Sequence, residues 1–423
     1  MADAPPSTPV AQVATQAGKP PAPAAASGFV GHAALVSALT LVSRVTGLLR
    51  DAALASGLGR GPVADAFIFG FQVPNLFRRL FGEGAFSAAF IPAYTRLVRD
   101  DPVLARRFAS LCLGLLIVVL GAITLLGEAL LAAMVAHFPW TQDTALALRL
   151  TMIMLPYMPM ICLVAILGAM LQVHGRFGSP AAAPILLNLI MIAAILLATR
   201  GELSDDQLRH AVRIVAWSVV AAGAAQVIWQ TLAVLRVESF TAQLAGTGPA
   251  VRSMLRVFVP VVLGLAVFQI NTFFDNVLAM ALSPKDGQAT LHLLGLSLPR
   301  PLEKGSVVAL AFAQRLYEFP LGIFGIAIAT AIFPALAQAA PAGKAGRPSA
   351  ASQADEADET DSRHLERFAQ VLRHGLRLSV FIGLPASVGL ILVRVPLARV
   401  VFERQAFTLQ DSLAVATILA GYA

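Results

Sequence analysis

Charge is what this sequence has least of. Of its 423 residues only 13% are Asp, Glu, Lys or Arg, against 57% hydrophobic, and the mean hydropathy is +0.75. A soluble domain of that composition would be left with an apolar surface, so a soluble class is excluded. Cysteine is almost missing as well. Cys112 and Cys162 sit inside apolar runs and read as small core residues, which excludes a disulfide framework and any Cys-based metal spacing. No nucleophile elbow, P-loop, HExxH or Cys/His cluster occurs, so the common signatures of an enzyme are absent. GLGRG at 57–61 reads as a turn between helices, and His137, His174, His210, His292, His364 and His374 fall mostly in loops or at helix ends. The start of the chain lacks the basic, apolar and small-residue pattern of a secretory signal. The net charge of +7 would suggest nucleic acid in a soluble protein. Here much of it lies in short loops between apolar runs, where positive charge sets topology instead, so no nucleic-acid partner is expected.

What is present is a series of long, continuous apolar runs. Only helices or closed barrels satisfy the backbone in lipid, and these runs lack the ten-residue alternation of a barrel. The fold class expected is an all-α polytopic membrane protein. A span needs about 20 apolar residues, which places helices at roughly 31–58, 63–97, 104–137, 142–173, 180–199, 208–235, 253–282, 305–338 and 366–402, with a tenth from about 409. Pro74, Gly82 and Gly84 mark the second as bent, and Pro156 with Pro159 the fourth. Loops after the even-numbered helices carry Arg96, Arg99, Arg106, Arg107, Arg176, Arg236, Arg252 and Arg256, whereas the loop 136–146 has no Lys or Arg. That bias favours a cytoplasmic amino terminus.

Residues 43–96 stand out because two membrane-length helices there carry Arg44, Arg50, Asp51, Asp65, Arg78, Arg79 and Glu83. An arginine at the centre of a span costs about 2.5–3.5 kcal/mol on insertion scales. Either the charges face a water-filled cavity, or they snorkel from helix ends and pair as struts. Arg44 and Asp51 share one face of the first helix, with Arg50 about 120° round it. Asp275, in QINTFFDNVLAM, is another carboxylate in an apolar setting. It either pairs with an arginine or binds a small cation with Asn271 and Asn276.

An internal repeat divides the chain. RRFASLCLGLL at 106–116 is echoed by ERFAQVLRHGL at 366–376, and RRLFGEGAFSAAFIPAYTR at 78–96 by QRLYEFPLGIFGIAIATAIFPALAQ at 314–338. The alignment makes Arg315 the counterpart of Arg79. The implied plan is two pseudo-symmetric helical lobes around a central cationic cavity: a disordered tail at 1–28, a first lobe of six helices at 29–240, and a second at 241–423. The polar, acidic stretch 339–363 reads as a disordered cytoplasmic linker within the second lobe. Repeats of this kind place a transporter's substrate site between the halves, and guanidinium groups from both lobes suit an anion such as phosphate.

The segments SRVTGLLRDAALASGLGRGPVADAF, PNLFRRLFGEGAFSAAFIPAY and AQRLYEFPLGIFGIAIATAIFPAL resemble the MurJ/MviN lipid II flippases, a family of the multidrug/oligosaccharidyl-lipid/polysaccharide exporter superfamily. The likeness runs from about residue 30 to the end. It implies a V-shaped pair of six-helix lobes that move undecaprenyl-pyrophosphate-linked peptidoglycan precursor (lipid II) outward across the bacterial inner membrane by alternating access. Matched residue by residue, the family's essential cavity charges fall on Arg44, Arg50, Asp65, Arg78 and Arg315, with Asn75 and Glu83 on further motif positions. Asp275 falls where some members place a sodium-binding carboxylate. No other cofactor is implied; lipid II, membrane lipids and other cell-wall synthesis proteins are the partners expected. The family usually has fourteen helices, so the second lobe is expected to be truncated here, and Gln314 replaces an acidic residue common beside the matching arginine. The rivals are a flippase for another polyprenyl-pyrophosphate oligosaccharide, a drug or ion antiporter of the same fold, and a non-transporting membrane scaffold.

Overall fold

The structure is a computed structural model that describes residues 23–284, 290–293, 296–339 and 354–423. Its first helix, α1 (Pro23–Leu58), ends in a tight turn through Gly59, whose φ of +63° suits glycine. α2 (Pro62–Phe77) starts on a proline, which loses nothing at a position where the N–H has no helical partner. Pro74 then deletes a backbone donor inside the helix. The chain responds with a π-helical segment, Arg78–Ala85, before α3 (Phe86–Asp100). The bend expected from Pro74, Gly82 and Gly84 is therefore a wider helical turn. It re-aims the two arginines that follow Phe77, and π segments often mark functional positions.

α4 (Pro102–His137) is capped by Asp101, which accepts from the Leu104 N–H at 2.9 Å. The fourth expected span is two helices, α5 (Gln142–Met154) and α6 (Tyr157–Val173), parted at Pro156. α7 (Gly178–Ala198) and α8 (Asp205–Val234) follow, the latter opened by a reciprocal Ser204–Gln207 capping box. α9 (Gly248–Leu282) leads into a short antiparallel hairpin, β1 (Thr290–Leu293) with β2 (Leu296–Pro299), pairing Thr290 with Pro299. α10 (Ser306–Ala339), α11 (Ala354–Phe402) and α12 (Leu409–Tyr422) complete the chain. Among the described residues six helical stretches are long and apolar enough to cross a membrane, and the protein is a multi-pass membrane protein.

Three details differ from the sequence expectations. The hairpin replaces what reads as plain loop, because TLHL and LSLP alternate with the period of a strand. α11 begins at Ala354, so residues 354–363 of the expected linker are helical; their Ala, Glu and Asp suit the first turns of a helix. Likewise α1 begins at Pro23, inside the expected tail 1–28. Residues 1–22 and 340–353, the rest of those two stretches, lie outside the described residues.

Packing divides the helices unevenly. α1 lies along α7, α7 along α8, α2 along α5, and α6 against α4 and α8; α10, α11 and α12 pack together; and α9 sits against α3, the π segment, α2 and α10. An aromatic column of Phe86, Phe90, Tyr94 and Phe108 fills the first group, and Phe312, Phe402 and Phe407 stack within α10–α12. Large apolar side chains such as Val118, Leu125, Leu126, Val267 and Leu392 remain exposed, as lipid-facing positions must.

Candidate functional site

A cavity opens where α1, α2 and the π segment face α9 and α10. Its lining includes Arg50, Asp51, Phe71, Gln72, Asn75, Arg79, Gln269, Thr272, Asn276, Gln314, Arg315 and Glu318. α1 supplies the centre. Arg50 donates from Nε and Nη2 to Asp51 Oδ1 at 3.0 and 2.6 Å, and from Nη1 to Asn188 Oδ1 on α7 at 3.1 Å. Its guanidinium lies over the Phe71 ring, 5.8 Å from the centroid, so the cation is held on three sides. Asn188 is fixed in turn, its Nδ2 donating to the Ser43 carbonyl and to Thr46 Oγ1.

From Asp51 the network crosses to α10. Arg315 Nε donates to Asp51 Oδ2 at 2.8 Å and Arg315 Nη1 to Glu318 Oε2 at 3.2 Å; Glu318 Oε1 accepts from Arg79 Nη2 at 3.2 Å. The charges therefore alternate along one line, Arg50–Asp51–Arg315–Glu318–Arg79, with three cations and two anions. Arg50 and Asp51 are buried, whereas the Arg315 side chain is 38% exposed. Replacing a buried pair with apolar groups is often neutral, but removing one member strands a charge and costs about 3–5 kcal/mol. The exposed end is worth much less. Such a line holds α1 to α10 and, with three cations to two anions, carries one net positive charge that draws an anion.

A second cluster, outside the cavity lining, ties the end of α1 and the start of α2 to the start of α10 and the segment before α12. Asp65, buried on α2, accepts from the Gly305 N–H at 2.9 Å and the Val308 N–H at 2.8 Å, and so caps α10 from across the molecule. Arg60, in the turn before α2, donates to Glu303 Oε2 at 2.8 Å and lies 3.6 Å from Asp411 Oδ1. Ser56 donates to Gln405 Oε1 at 2.8 Å, and the Ala406 N–H to the Ser56 carbonyl at 3.3 Å. Gly305, at φ +80°, lies so close to Arg60 that a β-carbon would collide with it.

The sequence-selected residues thus separate. Arg50, Asn75 and Arg315 line the cavity. Arg78 turns from it to donate to Asn75 Oδ1 at 2.8 Å, and the cavity receives Arg79 instead. Asp65 is in the second cluster, and Arg44 lies half-buried on α1 outside the lining. The side chain of Glu83 lies outside the described residues. Asp275 is half-buried on α9, within electrostatic reach of Tyr317 and Tyr422. Among the described residues no three acidic, histidine or cysteine groups gather to hold a metal ion. Sequence reasoning placed Asp51 on the Arg44 face of the first helix without a partner in the second half of the chain, and passed over Asn188 and Glu318. The glutamate that both repeat copies carry after Arg-Leu-aromatic was the available signal for Glu318; Asn188 offered none.

Residues 54–423 match the sequence profile of the family described as "Lipid II flippase MurJ". Among curated relatives, a probable lipid II flippase of Rhizobium tropici is 31% identical over 400 residues, covering 91% of this chain and 66% of its own length. Another from Vibrio cholerae is 32% identical over 393 residues, covering 89% and 66%; one from Bdellovibrio bacteriovorus is 30% identical, covering 92% and 67%. The chain thus spans about two thirds of the length of these relatives. Among solved structures, a lipid II flippase in an inward closed conformation superposes with a TM-score of 0.65 at 23% identity, covering 92% of this chain and 71% of that one. An inward-facing multidrug transporter of the MATE family gives 0.61 at 15%, covering 92% and 79%. These two likenesses concern the fold.

Proposed function

Since the chain belongs to the MurJ family of lipid II flippases, we propose that it carries a polyprenyl-pyrophosphate-linked cell-wall precursor, lipid II, from the cytoplasmic to the outer leaflet of the bacterial inner membrane. The observation that carries this reading is the line of alternating charges across the cavity. A pyrophosphate presents the same chemistry as Asp51 and Glu318, oxygens that fork onto guanidinium groups. It competes with those carboxylates for Arg50, Arg315 and Arg79, so binding the anion loosens the contacts that tie α1 and the π segment to α10. A substrate that pays differently in two states of the protein shifts their balance, which is what alternating access requires.

In this reading the chain comprises two helical lobes, residues 29–240 and 241–423, and the amino terminus is cytoplasmic. The cluster around Asp65 and Arg60 then lies at the periplasmic end and shuts it. The carrier is a transporter and not an enzyme, and the excess of guanidinium in its cavity argues against a cationic drug as cargo. Another polyprenyl-pyrophosphate oligosaccharide meets the same chemistry, and assay with purified lipids separates the two. Depleting the protein in cells is expected to strand lipid-linked precursor on the cytoplasmic face. The full-length wild type should relieve this, and Arg50→Ala with Arg315→Ala should not, although the protein inserts. Growth arrest without stranded precursor would mean a scaffold.

A further inference from the structure

The cavity has a second wall that the charged line does not use. On α9, Gln269, Thr272 and Asn276 follow at spacings of three and four, form one stripe, and all line the cavity. Leu263, Val267, Ile270, Phe274 and Leu278 of the same helix are exposed, as lipid-facing residues are. Uncharged polar residues inside a membrane helix commonly join it to a neighbour. Gln72 on α2 does this, its Nε2 donating to the Thr272 carbonyl at 3.1 Å.

Asn276 is not used up in that way. It is 2% exposed, its Nδ2 returns to the Thr272 carbonyl of its own helix at 2.9 Å, and its buried Oδ1 has no hydrogen-bond partner among the described residues. A buried acceptor without a donor is costly, and a ligand that brings the donor repays that cost. The polarity of the missing partner is informative. Phosphate oxygens are acceptors and repel an amide oxygen, whereas sugar hydroxyls and acetamido N–H groups donate to it. The cations stand on α1, the π segment and α10, which also brings the amide Gln314, whereas the amides Gln72, Asn75, Gln269 and Asn276 stand on α2 and α9, so a ligand spanning the cavity meets cations on one side and uncharged polar groups on the other.

We propose that the α9 stripe around Asn276 is the subsite for a neutral head group rich in hydroxyl and amide donors, a saccharide joined to the anion that the arginines take. This rests on the preceding reading of the arginine side as a pyrophosphate site. The test measures binding to the chain in nanodiscs of undecaprenyl pyrophosphate and of the same lipid bearing one N-acetylated sugar. The wild type should bind the sugar-bearing lipid more tightly. Asn276→Leu, which keeps the branched shape and removes the acceptor, should weaken that lipid about five- to tenfold and leave bare undecaprenyl pyrophosphate within about twofold. Gln269→Leu, on the half-buried part of the stripe, should give the same asymmetry in a protein less exposed to folding defects. Equal weakening of both lipids, or no change in either, overturns the subsite. Wild-type binding of neutral undecaprenol as tight as that of undecaprenyl pyrophosphate would overturn the anion reading and the subsite with it, independently of the variants.

Discussion

Asp65 offers the sharpest test of the closing cluster. Its two carboxylate oxygens each take one backbone N–H of the first turn of α10, at 2.9 and 2.8 Å, and the residue is 3% exposed. Asp65→Ala removes both acceptors and leaves two N–H groups facing an apolar gap. Losing a helix cap costs about 0.5–2 kcal/mol, and each stranded buried donor about 1–3 kcal/mol unless water reaches it. A working figure of about 2 kcal/mol follows if water enters at once, because the variant leaves room for it. These bonds exist only while α2 meets α10, so the whole figure falls on the closed state and shifts the closed-to-open ratio about thirtyfold. Asp65→Asn keeps one acceptor and the shape and should cost about half as much. Arg60→Ala should cost least, about 0.2–1 kcal/mol, because its nearer partner Glu303 has a side chain 79% exposed. The assay is the rate of disulfide formation between cysteines placed at Ser56 and Gln405, whose side chains now touch at 2.8 Å; native Cys112 and Cys162 are buried and should stay silent. The expected order of cross-linking is wild type, then Arg60→Ala, Asp65→Asn and Asp65→Ala. Unchanged cross-linking in Asp65→Ala, or a larger loss in Arg60→Ala, would refute the reasoning.

Gly305→Ala should open the same end, since its β-carbon meets Arg60 at a φ that L-residues adopt only with about 1–2 kcal/mol of strain; the Ser56–Gln405 cross-link again reports it. Arg315→Lys keeps the charge that Asp51 and Glu318 face and loses the fork, so flipping should fall severalfold, whereas Arg315→Ala should abolish it in a proteoliposome assay; equal loss in both would assign the arginine a purely geometric role. Gln226 and Gln230 on α8 donate to the Ala183 and Ser179 carbonyls of α7 at 2.6 and 2.9 Å. Each Gln→Leu change should cost about 0.6 kcal/mol, as such bonds do inside membranes, and lower the unfolding midpoint only slightly; a loss of several kcal/mol would mean that these bonds hold α7 in place alone.

What the sequence determined by itself was the list of helices and the kind of site they enclose. Membrane spans are written locally, in runs of apolar residues whose length must match the bilayer, so the expected spans from 104 to 338 matched their helices closely, even where Pro156 splits one in two. A cost paid locally is equally legible: an arginine at Arg50 or Arg315 inside such a run announces a polar interior before any partner is known. The partners themselves were not legible. Helical periodicity says that Arg78 and Arg79 lie about 100° apart, but the π segment decides which of them faces the cavity, and it chose Arg79. Asp65 reads like its charged neighbours, yet its carboxylate serves the backbone of a helix 240 residues further along the chain. Only the tertiary structure could decide these points, because a hydrogen bond needs a distance near 2.9 Å, and the distance between remote segments is set by how whole helices pack and not by the residues beside each group.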